Sequence, residues 1–170
     1  ETTGFYLSYL QDAYLIEKST RYDIKGKKYI GSLSKYYFTD IGLRNAILDF
    51  RQQEESHIME NIIYNELRIK GFLVDVGLVE HRTSNKEKQT IRNHYEVDFV
   101  AENASETFYF QVTNSCNDPK TFEREVRSLL AINDNYPKFI ISLEKVYSDN
   151  CDGIKIISLF DFLLGKHLMI

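Results

Sequence analysis

The sequence has little proline, glycine or cysteine. Its 170 residues include two prolines and eight glycines, so no linker rich in these residues divides the chain. The two cysteines, Cys116 and Cys151, lack metal-ligand spacing, and with no visible signal peptide we expect free thiols in a reducing cytoplasm. The chain begins at Glu1 rather than Met, which we interpret as a piece of a longer protein. These features predict one domain, or one domain with a small appendage.

Other absences exclude whole classes of function. No apolar run is long enough to cross a bilayer, so no membrane partner is expected. No Walker-type glycine-rich loop with its lysine is present, so we expect no ATP site of that kind in this chain. The net charge of −4 and the pI of about 5.6 do not fit a dedicated DNA-binding domain, which is strongly basic, but they allow a local basic patch.

What the chain does contain is a regular alternation of helix and strand patterns. Apolar residues make up 43% of it, enough for a substantial core. Helices are expected at residues 3–11, after Thr39 or Asp40, at 54–70, from Asp118 to about Ile132, and at 159–164 after Ser158. Strands are expected at residues 13–17, 36–38, 72–79, 93–102, 107–113, 137–143 and 153–157. The alternation predicts an α/β fold with a mixed sheet flanked by helices.

The stretch from Glu96 to Thr113 carries the main functional signal. Two aromatic-rich runs flank a polar turn at residues 103–106, which predicts a β-hairpin. Asp98 and Gln111 then lie near each other at the open end, where a carboxylate and an amide oxygen can hold a hard cation such as Mg²⁺ or Mn²⁺. The alternative is a pair of buried strands whose polar residues only cap a sheet.

Glu96 and Asp98 are two residues apart, so their side chains point to the same face of a strand. Two carboxylates on one face raise each other's pKa unless a cation or a base sits between them. This proximity is a physical reason to expect a metal. The alternative is an exposed face on which both carboxylates are solvated.

The only dense basic cluster lies near residues 18–28. Lys25, Lys27 and Lys28 surround Gly26, where a tight turn with positive φ is expected. As the wing of a winged-helix unit, these lysines would lie along a phosphate backbone. The alternative is a solvated hairpin tip that the lysines keep soluble.

The hairpin resembles the metal site of restriction-endonuclease-like, PD-(D/E)xK nucleases. Asp98 matches the aspartate of that motif, and Gln111-Val112-Thr113 matches its (Glu/Gln)-x-Lys. The resemblance implies that Asp98, Gln111 and an acid from the first core helix, Glu60, form a metal and catalytic site. In that family the lysine orients or activates the attacking water, and Thr113, which takes its place here, is a poor substitute.

A second resemblance covers nearly the whole chain. The string Lys35-Tyr-Tyr-Phe-Thr-Asp-Ile-Gly-Leu-Arg-Asn-Ala46 resembles a C-terminal domain of unknown function found behind the AAA+ module of prokaryotic ATPases. Further matches are Glu60-Asn61, Glu66-Leu67, Glu96-Val-Asp-Phe-Val100, Phe110-Gln-Val112, Arg124-Glu125 and Tyr136-Pro-Lys138. The resemblance implies a winged-helix-like segment with a linker helix at residues 1–52 and a restriction-endonuclease-like domain at 53–170.

Three functions follow from this reading. The first is an accessory domain of an AAA+ ATPase, attached to its N-terminal module, which recognises nucleic acid or a protein partner with the nuclease chemistry largely lost. The second is an active Mg²⁺- or Mn²⁺-dependent DNA endonuclease, in which Lys138 would replace the missing lysine. The third is a defence- or toxin-associated protein-interaction domain. Arg124 and Glu125 are expected to face partly outward from their helix.

Overall fold

The computed structural model describes residues 2–51, 54–84, 90–144 and 150–166. These residues form five helices and eight strands. The helices are α1 (Thr2–Asp12), α2 (Ile41–Ile47), α3 (Glu55–Ile69), α4 (Pro119–Leu130) and α5 (Leu159–Leu163). The strands are β1 (Ile16–Asp23), β2 (Lys28–Phe38), β3 (Leu73–Ser84), β4 (Thr90–Glu102), β5 (Thr107–Thr113), β6 (Lys138–Ser142), β7 (Asn150–Cys151) and β8 (Ile154–Ser158).

All eight described strands join one mixed sheet in the order β2-β1-β3-β4-β5-β6-β8-β7. The pairs β1–β2, β3–β4, β4–β5 and β7–β8 are antiparallel, whereas β1–β3, β5–β6 and β6–β8 are parallel. The expected mixed sheet flanked by helices is therefore confirmed. The N-terminal hairpin extends this sheet through the pairing of β1 with β3, so residues 16–38 share their hydrogen-bonded framework with the rest of the chain.

Three helix starts are confirmed by their caps. The side chain of Asp40 accepts a hydrogen bond from the Leu43 amide at 2.8 Å, and that of Asp118 accepts one from the Thr121 amide at 3.0 Å. Ser158 Oγ accepts one from the Asp161 amide at 3.1 Å. Each bond satisfies an amide that the helix itself leaves unpaired. None of the described helices is long and apolar enough to cross a membrane.

The N-terminal hairpin differs from the sequence expectation. The first strand starts at Ile16 rather than residue 13, and β2 is one continuous strand of eleven residues that includes the expected strand at 36–38. Gly26 does not have positive φ; Lys27 does, with φ of 49°. Gly26 is needed for a different reason, because a Cβ there would lie 2.3 Å from Asp23 Oδ2. The other oxygen of this carboxylate, Oδ1, accepts a hydrogen bond from the Gly26 amide.

A core lies on each face of the sheet. The face covered by α3 and α5 buries aromatic and aliphatic side chains such as Phe72, Phe99 and Phe110. The face covered by α4 buries a mainly aliphatic set that includes Val97, Leu129 and Ile140. Leu130, next to the buried Leu129 on α4, is half exposed because it lies just off the buried stripe.

Two irregularities in β4 create the opening described next. Gly77 of β3 pairs with Val97, whereas Asp75 pairs with Val100, so β4 accommodates one extra residue around Asp98 and Phe99. Bulges of this kind re-aim a side chain. In addition, β4 pairs with β5 only from Phe99 to Glu102. Before Phe99 the two strands separate, and the sheet opens between α3 and α4.

Candidate functional site

A polar cleft of about 400 Å³ lies where β4 and β5 separate. Its walls come from α3, β4, β5 and α4, so segments distant in sequence meet there. The charged and amide side chains that line it are Glu60, Glu96, Asp98, Gln111, Arg124 and Glu125. The structure thus brings the three expected metal ligands, Glu60, Asp98 and Gln111, to one cleft.

The side chains of Asp98 and Gln111 each accept a hydrogen bond from a backbone amide of the opposite strand. The Asp98 amide donates to Gln111 Oε1 at 3.2 Å, and the Val112 amide donates to Asp98 Oδ2 at 2.9 Å. The side chains therefore bridge the gap that opens when the strand ladder stops. The turn that sets this register is confirmed, since the Asn103 side chain accepts hydrogen bonds from the Ser105 and Glu106 amides at 2.9 Å each.

Glu125 is a buried part of this site. Its side chain accepts a hydrogen bond from Gln111 Nε2 at 2.5 Å and others from Arg124 Nε and Nη2 at 3.0 and 2.6 Å. With 3% of its surface exposed, Glu125 does not face outward as the sequence reading expected, whereas Arg124 is largely exposed. The helical spacing from Phe122 through Val126 to Leu129 places residue 125 on the inward stripe, which is the signal that was overlooked.

Lys35 holds the acidic side of the cleft together. It reaches from β2, and its Nζ lies 2.9 Å from Glu60 Oε1, 2.9 Å from Glu96 Oε1 and 3.8 Å from Asp98 Oδ1. Tyr37, two residues along the same strand, also donates to Glu60 Oε1 at 2.6 Å. The second oxygen of Glu96 accepts from Arg21 at 2.9 Å. A cation does sit between Glu96 and Asp98, and it is a side chain of this protein.

The electrostatics of the cluster follow from burial and charge proximity. Burial, with the negative charge of Glu60, raises the pKa of Asp98 to about 7 from an ordinary value of 3.8, although Lys35 and the Val112 amide act to lower it. Burial alone would lower the pKa of Lys35, but Glu60 and Asp98 outweigh it, so this pKa is raised and the amine stays protonated. Burial and Glu60 likewise raise the pKa of Tyr37, which remains a donor.

The remaining expected residues lie away from the acidic cluster. Thr113 is buried, and its hydroxyl donates to the Ser115 carbonyl at 3.0 Å. Lys138 is bound at the start of β6, where its Nζ donates to the Asp134 carbonyl at 2.8 Å and packs over the Tyr109 ring, so it does not replace the missing lysine. The exposed residues Lys25, Lys27 and Lys28 lie at the β1–β2 turn.

The arrangement of the donors does not suit a divalent metal ion. Carboxylate oxygens at 2.9 Å are at the distance of an ammonium partner, whereas Mg²⁺ needs oxygens at about 2.1 Å. Gln111 Oε1 is already used by the Asp98 amide. Within the part of the chain that the structure describes, no group of three or more His, Cys, Asp or Glu residues is placed to hold a metal ion.

Sequence reasoning missed Lys35 and Tyr37 as site residues. A signal was present: Lys35 is the only charged residue between Gly31 and Thr39, and it shares a strand face with Tyr37. The sequence could not predict that the Lys35 side chain of β2 reaches the carboxylates of β4, because this proximity depends on the parallel pairing of β1 with β3.

Comparisons with known proteins show which proteins the chain resembles. A family model described as a domain of unknown function (DUF8612) matches residues 1–54. An uncharacterized protein of Haemophilus influenzae is 33% identical over 163 residues, which cover 96% of this chain and 37% of that protein. The uncharacterized protein MJ1544 of Methanocaldococcus jannaschii is 29% identical over 161 residues, covering 92% of this chain and 32% of that protein. No solved structure matches. The chain therefore spans about a third of the length of the curated relatives that it matches.

Proposed function

We propose that this chain is an accessory domain of a larger prokaryotic AAA+ ATPase, with a restriction-endonuclease-like fold that binds nucleic acid without cutting it. The element order from α3 to β6 supports the fold: a helix with Glu60, three antiparallel strands, a helix, and a strand parallel to β5. Asp98 and Gln111 occupy β4 and β5, as the nuclease motif requires. The N-terminal hairpin β1–β2 would lie along the phosphate backbone, as the wing of a winged-helix unit does.

The position of Lys35 is the main reason to propose that the domain does not cleave nucleic acid. Its ammonium group occupies the centre of the acidic cluster, where a nuclease of this kind holds its metal ion. At the motif's own lysine position, the hydroxyl of Thr113 is directed to a backbone carbonyl. The negative charge of the cluster is thus largely offset by side chains of the protein, and Thr113 carries no group that could activate a water molecule.

Binding of nucleic acid is proposed for the β1–β2 turn. Lys25, Lys27 and Lys28 are exposed there, at the turn that leads into the outermost strand β2. Lysines at a protruding turn can contact phosphates without reading sequence, and such contacts release counterions, so binding weakens as salt is added. The rest of the longer polypeptide would supply the ATPase module, since relatives extend well beyond the matched region.

The test is binding of a fluorescein-labelled 30-mer DNA duplex, followed by anisotropy at several salt concentrations. We expect measurable binding at low salt that weakens steeply with salt. The triple change Lys25→Ala, Lys27→Ala, Lys28→Ala should weaken DNA binding by roughly tenfold or more. It should also reduce the slope of log K against log salt concentration by the amount that corresponds to about three phosphate contacts.

The matched control changes three exposed lysines elsewhere, Lys120, Lys155 and Lys166, to alanine. This variant loses the same net charge, so the proposal requires it to bind nearly as well as the unchanged protein. Equal losses in both triple variants would show that only overall charge matters, and an absence of binding at low salt would overturn the proposed role of the hairpin.

A second candidate, an active Mg²⁺- or Mn²⁺-dependent endonuclease, is favoured by one observation. Glu60, Asp98 and Gln111 do line a single cleft, and a lysine accompanies them. Incubation of the protein with supercoiled plasmid and Mn²⁺ separates the two candidates. Nicking that disappears in Asp98→Asn but persists in Asp152→Asn, an exposed change, would establish the nuclease and exclude a purely binding role.

A further inference from the structure

The cleft concentrates negative charge that something must balance. Glu60, Glu96 and Asp98 come from α3 and β4, and the side chains of Glu60 and Asp98 are only 17% and 15% exposed. Carboxylates so close together and so poorly solvated are unfavourable unless positive charge lies between them.

Lys35 supplies that charge with suitable geometry. An ammonium group has three hydrogens, and three carboxylates surround Nζ, two at 2.9 Å and the third at 3.8 Å. Arg21 adds a second positive charge on the far oxygen of Glu96. When Asp98 is ionised, three negative charges thus face two positive charges that belong to the protein.

The position of Lys35 is fixed by its strand. Lys35 pairs with Ser19 of β1, and the buried Ser19 hydroxyl donates to the Val74 carbonyl of β3 at 3.1 Å. On the same side of β2, Tyr37 stacks on Tyr64 with ring centroids 4.1 Å apart. These contacts hold the stem of Lys35 beside the cleft, so its ammonium group is a built-in part of the site.

We propose that Lys35 is a built-in counter-cation that takes the place of a divalent metal ion among Glu60, Glu96 and Asp98, and that its removal turns the cluster into a metal-binding site. Without Lys35, three carboxylates would face only Arg21. A divalent cation restores the lost charge. To reach a metal distance of about 2.1 Å, the Glu60 and Glu96 oxygens, now at 2.9 Å from Nζ, would move inward by roughly 0.8 Å, and the Asp98 oxygen, now at 3.8 Å, by roughly 1.7 Å. The inference rests on the proposed loss of cutting, which also invokes Lys35, and it goes beyond the proposed nucleic-acid binding, which depends on a different surface.

The experiment compares Lys35→Met with the unchanged protein by isothermal titration calorimetry with MnCl₂ at pH 8. We expect no saturable binding to the unchanged protein and one site of about 10⁻⁴ M affinity in Lys35→Met. Binding should disappear again in the double variant Lys35→Met, Asp98→Asn. Lys28→Met, which removes an exposed lysine from the same strand, should not bind Mn²⁺.

Several results would overturn the inference. One is saturable, Asp98-dependent Mn²⁺ binding by the unchanged protein. Another is a folded Lys35→Met variant, checked by circular dichroism, that binds no Mn²⁺. If Lys35→Met does not fold, Lys35→Gln, which also removes the charge, takes its place. A folded glutamine variant that binds Mn²⁺ supports the inference, and one that does not bind Mn²⁺ overturns it. Failure of both variants to fold would show that the fold itself requires the lysine. None of these results depends on DNA binding, so the two proposals can fail separately.

Discussion

At the scale of single residues, Asp98 has the most unusual environment. Its carboxylate is mostly buried beside Glu60, and its pKa is raised to about 7 from 3.8. Between about pH 4 and pH 7 the folded protein therefore keeps a proton that the unfolded chain releases. The free energy of unfolding falls as the pH rises through this window, and above pH 7 the loss is complete.

Asp98→Asn should remove this pH dependence, because asparagine does not titrate. The difference in free energy of unfolding between the variant and the unchanged protein should therefore grow in favour of the variant as the pH rises from 4 to 8. For a pKa difference near three, the total change is up to about 4 kcal/mol. Urea unfolding at both pH values measures the effect. Asp12→Asn, at an exposed carboxylate, should show no such gain; a constant difference between Asp98→Asn and the unchanged protein would contradict the raised pKa.

Glu125 offers a prediction about hydrogen bonding. Glu125→Ala leaves the buried Gln111 amide nitrogen without its partner, which should lower the free energy of unfolding by about 1–3 kcal/mol. Glu123→Ala removes an exposed carboxylate from the same helix and should change it by less than about 0.5 kcal/mol. Equal effects in urea unfolding would mean that the buried contact contributes nothing.

Part of the site could be predicted from residues alone. The turn at 103–106 fixes which residues of β4 and β5 face each other, so the proximity of Asp98 and Gln111 follows from local sequence. The inward position of Glu125 was readable from helical spacing. The approach of Lys35 was not, because a parallel pairing between strands fifty residues apart has no local sequence signature.

At the scale of elements, the bulge in β4 depends on close packing against β3. Gly77 is buried opposite Val97, and a Cβ there would lie 2.9 Å from Val97 Cβ and from Val100 Cγ2, and 2.8 Å from Ile24 Cδ1. Neither the bulge nor this close approach could be predicted, since residues 96–100 read as a regular strand. A glycine inside a strand was the one hint.

Gly77→Ala should therefore overpack this region and lower the free energy of unfolding by about 1–3 kcal/mol. Gly31→Ala is the matched control within β2, because nothing lies within 4 Å of its added Cβ. It should be neutral or slightly stabilising. Urea unfolding of both variants provides the comparison, and a neutral Gly77→Ala would show that the three neighbours can move apart at no cost.

At the scale of the whole molecule, the main question is whether residues 1–54 behave as a separate unit. The family model ends at residue 54, and the sequence suggested a boundary after residue 52. The sheet, however, continues from β1 into β3, Arg68 of α3 pairs with Glu17 of β1 at 2.8 Å, and Tyr37 packs in the α3 core. The boundary was taken from the family resemblance, whose short motifs carry no information about this long-range pairing.

We expect the described elements to unfold in one cooperative transition. Calorimetry should give equal calorimetric and van't Hoff enthalpies, and amides of β1 and β5 should exchange hydrogen through the same global opening. An earlier transition confined to peptides before residue 54 would contradict this expectation and would support the sequence-derived division.

The location of Lys35 on β2 has one more consequence, because β2 is the outermost strand of the sheet on its side. Outer strands have hydrogen-bonded neighbours on one side only and detach more readily than central ones. If β2 detached, the ammonium group would leave with it, and the cleft would become more negative, since only Arg21 would remain beside Glu96. The electrostatic potential of the cleft would therefore depend on whether the outer strand β2 stays paired with β1.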